Sequence, residues 1–228
     1  GGVQVKDSQG VVHGVLASDT PFVLEKGQAV ANCVLKEGEY DFFIFRYNTK
    51  EIVPNGNDRK HHEEELEDVI KFWQEWAHKC DLKTCITSGK WHGQAVRSAL
   101  MLKILFFEPV GTIAAAPTTS LPESVGGVRN WDYRFNWLRD AAFTLKAFFR
   151  IGHAQEAEEY FDWLIGECYS ALQNPTELKI MYNLRGGETP DEEILTHLDG
   201  YRGSKPVRIG NGAREQRQLD IYGSVIDT

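Results

Sequence analysis

The sequence predicts a multi-domain β + α chain: a strand-rich first part, a linking helix, then successive helical hairpins. Two changes of pattern carry that reading. Residues 1 to about 57 alternate short apolar runs with glycine, asparagine and aspartate, at strand-like lengths. From about residue 60 the apolar residues recur at spacings of three and four, the period of a helix with one buried face. A length of 228 residues fits one or two domains.

Within the first part, "GVVHGVL", "PFVLEKGQAVANCVL" and "YDFFIFRYN" read as antiparallel strands, part of a sandwich. Turn signals such as "KEGEY" and "PNGNDRK" separate or end them. "EEELEDVIKFWQEWAHKC" then places Leu66, Val69, Ile70, Trp73, Trp76 and Ala77 on one helical stripe. A second helix in "SGKWHGQAVRSALMLKILFF" carries Ala95, Ala99, Leu102 and Leu105 along its face. The proline- and glycine-punctuated stretch "EPVGTIAAAPTTSLPESVGGVRN" reads as a long loop, a length that often marks function. Further helices follow from about Trp137 to Arg150, with Phe143, Leu145, Phe148 and Phe149 expected in the core, and after Gly152. The region from Gln173 to Gln216 is mostly loop, and "REQRQLDIYGSVIDT" opens one more helix.

Composition removes several function classes. The net charge of −8 argues against nucleic acid as the main partner, because phosphate binding wants clustered cations. No apolar run approaches the ~18 residues of a membrane span, so no membrane partner is expected and the expected location is cytoplasmic. Cys80 and Cys85 in "CDLKTC" lack a second Cys or His pair at zinc-site spacing, so with Cys33 and Cys168 they read as free thiols, and no metal or other cofactor is expected. The pair His61-His62 reads as a solvated helix start.

"NWDYRFNWLRDAA" (130–142) concentrates the chemistry. Tyr133, Phe135 and Trp137 alternate, and an Arg139-Asp140 pair follows where a helix begins. Rings beside fixed charges usually mean core packing. They also suit a ligand with one apolar face and many hydroxyls: a pyranose packs its C–H face on a ring, while its hydroxyls take charged hydrogen-bond partners.

The segment "GTIAAAPTTSLPESVGGVRNWDYRFNWLRDAAFTLKAFFRIG" resembles glycoside hydrolase family 15, the glucoamylases, glucodextranases and bacterial trehalase-like enzymes. "KWHGQAVRSALMLKILFFEPVGTI" and "LKIMYNLRGGETPDEEILTHLDGYRGSKPVRIGNGAREQRQLDIYG" agree with it, so the likeness is strong over residues 91–228 and weak in the strand region. It implies that residues 1–58 are the C-terminal part of a β-sandwich domain, 59–90 a linker helix, and 91–228 the first hairpins of a six-hairpin α/α barrel. Twelve helices make such a barrel, so the chain reads as the middle of a longer protein.

By the family's pattern, Tyr133, Trp137, Arg139 and Asp140 match the subsite that grips a non-reducing glucose. Phe135, Tyr201, Arg202 and Asp220 are possible further contacts. Arg208, Asn211 and Gln218 fall at the same barrel end, and a purely structural loop is the alternative for the glycine-rich "GYRGSKPVRIGNG". The resemblance implies an inverting α-glucoside hydrolase, which needs two carboxyl groups with a water between one of them and the sugar. The "GIWE"-type motif of the acid and the later loop of the base are not in this sequence, so no catalytic residue is assigned. Glu123 is expected to fix its loop, and Glu188, Glu192 and Glu193 to be ordinary acidic loop or capping residues. Many relatives carry Glu after "YG", where this chain has Ser224. The competing expectation is a carbohydrate-binding or structural protein without catalysis.

Overall fold

The computed structural model describes residues 1–52, 59–77, 89–173 and 178–228. The chain divides into two compact units, Gly1–Phe72 and Trp73–Thr228.

The first unit is built on an antiparallel sheet. β1 (Gly2–Lys6), β2 (Val12–Ser18) and β5 (Phe43–Tyr47) lie in the order β1-β2-β5. β3 (Val23–Glu25) and β4 (Gln28–Val30) form a separate hairpin. On the central strand Val15 and Ala17 are buried, and so are Gly14 and Ser18 on the opposite face. Gly14 faces Tyr47, and a Cβ there would lie 2.6 Å from the Arg46 carbonyl oxygen, so the strand crossing requires glycine. The apolar runs marked β2 to β5, whereas β1 is polar on alternate residues and its pairing comes only from the register Val3↔Leu16.

α1 (Arg59–Ala77) begins in the first unit and ends in the second. His61 and His62 both face Glu65, at 3.4 and 2.9 Å; His61 is solvated as expected, whereas the His62 side chain is only 10% exposed and lies against the Phe42 ring. Of its predicted stripe, Trp76 is buried and Trp73 packs on the core, but Leu66, Val69 and Ile70 are exposed. Cys33 is a free, exposed thiol. Cys80, Cys85 and the side chain of Cys168 lie outside the described residues, as does the end of the linker stretch beyond Ala77.

The second unit is helical. α2 (His92–Leu105), α3 (Leu138–Arg150), α4 (Ala154–Gln173) and α5 (Asp220–Ile226) match the predicted helices. α3 packs against both α4 and α5. Leu138, Ala141, Leu145 and Phe148 from α3 meet Ala99, Phe106, Ile113, Tyr160 and Leu164 in one core. Phe143 and Phe149, expected in that core, are 68% and 71% exposed. Phe143 falls on the side of α3 opposite Ala141 and Phe148. Phe149 sits in the last turn, where it lines an open cavity of about 290 Å³ with Leu145, Lys146 and Thr228. No described helix is long and apolar enough to cross a membrane.

Three ladders of two residues each, too short to leave a periodic trace in sequence, brace this unit. β6 (Phe106–Phe107) pairs with β7 (Thr112–Ile113), β8 (Asn136–Trp137) with β9 (Met181–Tyr182), and β10 (Glu193–Ile194) with β11 (Arg208–Ile209). The second of these ties residues 181–182 to the start of α3, where the Leu138 N–H donates to the Ile180 carbonyl.

Candidate functional site

The β8–β9 pair fixes where the aromatic stretch meets α3. Trp137 is the last residue before the helix, in extended conformation, and Arg139 and Asp140 occupy its first turn. A carboxylate in a first turn is favoured by the exposed N–H groups there. Arg139 turns towards the start of α5. Its Nη1 donates to Asp220 Oδ2 at 2.7 Å and to Gln218 Oε1 at 3.1 Å, while its Nε lies 4.0 Å from Asp140 Oδ2. A guanidinium is thus held between two carboxylates that remain about half exposed.

The aromatic rings divide by burial. Tyr133 is 37% exposed, and its ring centroid lies 6.1 Å from that of Trp137 at 60°. Trp137 and Phe135 are buried, packed with Ile180, Met181 and Ile221. The Trp137 indole N–H is enclosed and has no acceptor among the described residues. So the accessible ring is Tyr133, and Trp137 and Phe135 form the floor beneath it. Sequence alone could not separate the three, because a strand of two residues exposes no alternation.

Charge sets the titration of the group. The hydrogen bond from Arg139 holds the Asp220 carboxyl below the ordinary aspartate range. Partial burial moves Asp140 the other way, above its ordinary value, against the pull of Arg139. Burial, with the Glu123 and Asp140 carboxylates, raises the Tyr133 phenol. A sugar hydroxyl donates best to an ionised carboxylate. A polyhydroxylated ligand held there should therefore bind more weakly as pH falls through the raised Asp140 value, where that carboxylate takes up its proton. Asp220 stays ionised further into acid. Glucose titrations across that fall in pH check this, and Asp140→Asn should flatten the profile; an unchanged slope in that variant removes Asp140 from the site.

Of the possible contacts, Asp220 joins the cluster and Phe135 belongs to its floor. Tyr201 and Arg202 lie in a short 3₁₀ turn, where the guanidinium sits 5.4 Å over the tyrosine ring. That turn ends at buried Ser204, whose Oγ accepts from the Gly126 N–H, so it is tied to the long loop. Glu123 bonds Arg129 at 2.9 Å across its own loop, as expected. Glu188 pairs with Lys179, Glu192 with Arg208 at 3.0 Å, and Glu193 is exposed in β10.

Asp132 was not singled out by sequence. It is fully buried, takes a forked ion pair from Arg134 at 2.9 and 2.8 Å, and accepts the Gly210 N–H at 3.1 Å. The Asx turn from the Arg134 N–H to Asp132 was its available signal, an Asp two residues before an Arg. Gly210 has φ 73°, and a Cβ there would fall 2.1 Å from the Asp191 carbonyl oxygen, so only glycine lets the two loops meet.

A cavity of about 440 Å³ lies to one side, lined by Lys179, Tyr182, Glu188, Arg214, Gln216 and Arg217 among others. Its lining includes none of Tyr133, Trp137, Arg139 and Asp140. It connects to them through the hydrogen bond from Gln218 to Gln216, 3.0 Å long.

The family model described as Glycosyl hydrolases family 15 matches residues 89–228. A trehalase of Mycobacterium tuberculosis is 37% identical over 205 residues, 90% of this chain and 29% of that protein. A trehalase of Mycolicibacterium smegmatis is 36% identical over 205 residues, 90% of this chain and 30% of that protein. One of Thermoplasma volcanium is 40% identical over 161 residues, 71% of this chain and 24% of that protein. The chain thus spans less than a third of the length of these relatives. No solved structure matches it.

Proposed function

The chain belongs to glycosyl hydrolases family 15, and we propose that it supplies the glucose-gripping subsite of an inverting α-glucoside hydrolase. The observation that carries this is Arg139, held by Gln218 and Asp220 and flanked by Asp140, beside the exposed ring of Tyr133. In this reading the apolar face of a terminal glucose rests on Tyr133. Arg139 donates to its hydroxyls, and Asp140 and Asp220 accept from them. The acid and base lie on chain beyond these residues. Residues 1–58 are the end of a β-sandwich, 59–90 the linker, and 91–228 the first hairpins of an α/α barrel. The names of the relatives favour trehalose among the terminal α-glucosides.

The test is to supply the full protein with trehalose, maltose and isomaltose and to follow the anomers released by NMR. Inversion yields one β- and one α-glucose from each trehalose, and β-glucose from the non-reducing end of maltose. Two α-glucose molecules per trehalose would rule out inversion. Glucose binding without any release would favour the non-catalytic carbohydrate-binding reading.

A further inference from the structure

We propose that Arg208 is a positioning residue for this subsite, fixing the arm of chain that delivers Tyr133; the inference rests on the subsite reading above. The Arg208 side chain is only 12% exposed. Its Nε donates to Glu192 at 3.0 Å, and its Nη1 donates to the carbonyls of Val128 and Asn130 at 3.2 and 3.1 Å. The guanidinium also lies 4.6 Å over the Trp131 ring. Three residues of one short arm, 128 to 131, are therefore held by a single planar group. A lysine, a point charge on a flexible stem, cannot reproduce that fork.

The backbone of Arg208 grips the other end of the same loop. Its N–H donates to Ser120 Oγ at 2.8 Å, and its carbonyl accepts from Thr119 Oγ1 at 2.6 Å. Two residues on, Gly210 donates to buried Asp132, and Asn211 Nδ2 donates to the Asp132 carbonyl at 3.0 Å. The clamp ends at residue 132, and the next residue is Tyr133. The charge of Arg208 is taken up by Glu192, whose other oxygen accepts the Gly212 N–H at 3.2 Å. Arg208 thus acts on the subsite through the course of the backbone.

The experiment is a double-mutant cycle in the full protein, read by glucose affinity and by KM and kcat on trehalose. Arg208→Gln should weaken glucose about tenfold and raise KM with little change in kcat, and in a Tyr133→Ala background the same change should have almost no further effect. Arg208→Lys should also lose affinity, because the charge survives without the fork; it carries the cycle if the glutamine variant fails to fold. Unchanged glucose affinity in Arg208→Gln or Arg208→Lys, or losses that simply add to those of Tyr133→Ala, would overturn the assignment. Should Tyr133→Ala and Arg139→Ala themselves leave glucose affinity intact, the subsite reading fails, and this inference with it.

Discussion

Trp137→Ala should destabilise the helical unit by about 3 to 5 kcal/mol, the range for removing a large buried aromatic. The ring is 7% exposed and packs among Phe135, Ile180, Met181 and Ile221. Its backbone is also the β8 half of the ladder with Met181, so its loss opens a void where the long loop, β9 and α5 converge. Denaturant unfolding of the full protein checks this. Trp137→Phe should recover a large part of the loss, since it keeps most of the apolar volume. Glucose affinity should fall in Trp137→Ala as well, but because Tyr133 and Arg139 lose their floor. Tyr133→Ala should separate the two effects: it removes the accessible face, worth on the order of 1 kcal/mol of binding, at little cost in stability. A Trp137→Ala variant of unchanged midpoint would show that the ring is not the floor of the site.

Lys103→Ala should cost a comparable amount, about 3 to 5 kcal/mol, because it leaves a carboxylate uncompensated in the core. Glu156 is 3% exposed, and its Oε1 accepts from Trp76 Nε1 at 2.5 Å and from Lys103 Nζ at 3.1 Å. Lys103 Nζ also reaches Glu108 at 2.8 Å. Burial alone would raise the Glu156 carboxyl. The bonds from Trp76 and Lys103 outweigh it and hold the group below the ordinary glutamate range. A depressed acid contributes stability that is present above its unfolded pKa and lost as pH falls through the folded one. The deficit of Lys103→Ala relative to the parent should therefore shrink in acid, as Glu156 protonates in both. The double replacement Lys103→Met with Glu156→Gln should recover part of the loss, because a neutral glutamine still accepts the Trp76 indole N–H. A deficit independent of pH would mean that Lys103 contributes through its packing on Trp76 and Phe106 and not through its charge.

The sequence was readable where its period was long. The stripe through Trp73 and Trp76, the faces of α2 and α3, and the helix after Gly152 all follow from spacings of three and four. Phe143 and Phe149, expected in the core by helical spacing, are exposed, because Phe143 is two residues and so about 200° from both Ala141 and Leu145 on α3 and Phe149 lies in its last turn. The two-residue ladders at 106–113, 136–182 and 193–209 carry no period, and they bring residues up to 46 positions apart into register. The long loop reads as unstructured and yet is tied down by Thr119 and Ser120 on the Arg208 carbonyl and by the Gly126 N–H on Ser204. Arg139 and Asp140 stand out in the aromatic motif, and Asp220 in the downstream segment. Their joining does not, because a pairing across 81 residues leaves no local trace. The division of labour between exposed Tyr133 and buried Trp137 likewise needed the register of β8. Asp132 lies within the aromatic motif and Arg208 in the glycine-rich stretch, but their bonds to Gly210, Glu192 and the Val128 and Asn130 carbonyls join chain too far apart to leave a local trace.

The most direct test of the central claim is glucose binding to Arg139→Ala in the full protein, by titration calorimetry. The Arg139 side chain is 39% exposed and lies at the surface end of α3, so its removal should leave the unfolding midpoint near that of the parent. If Arg139 grips the sugar through charged hydrogen bonds, affinity for glucose should fall by about tenfold to a hundredfold. Equal affinity in the variant and the parent, with both fully folded, would contradict the account.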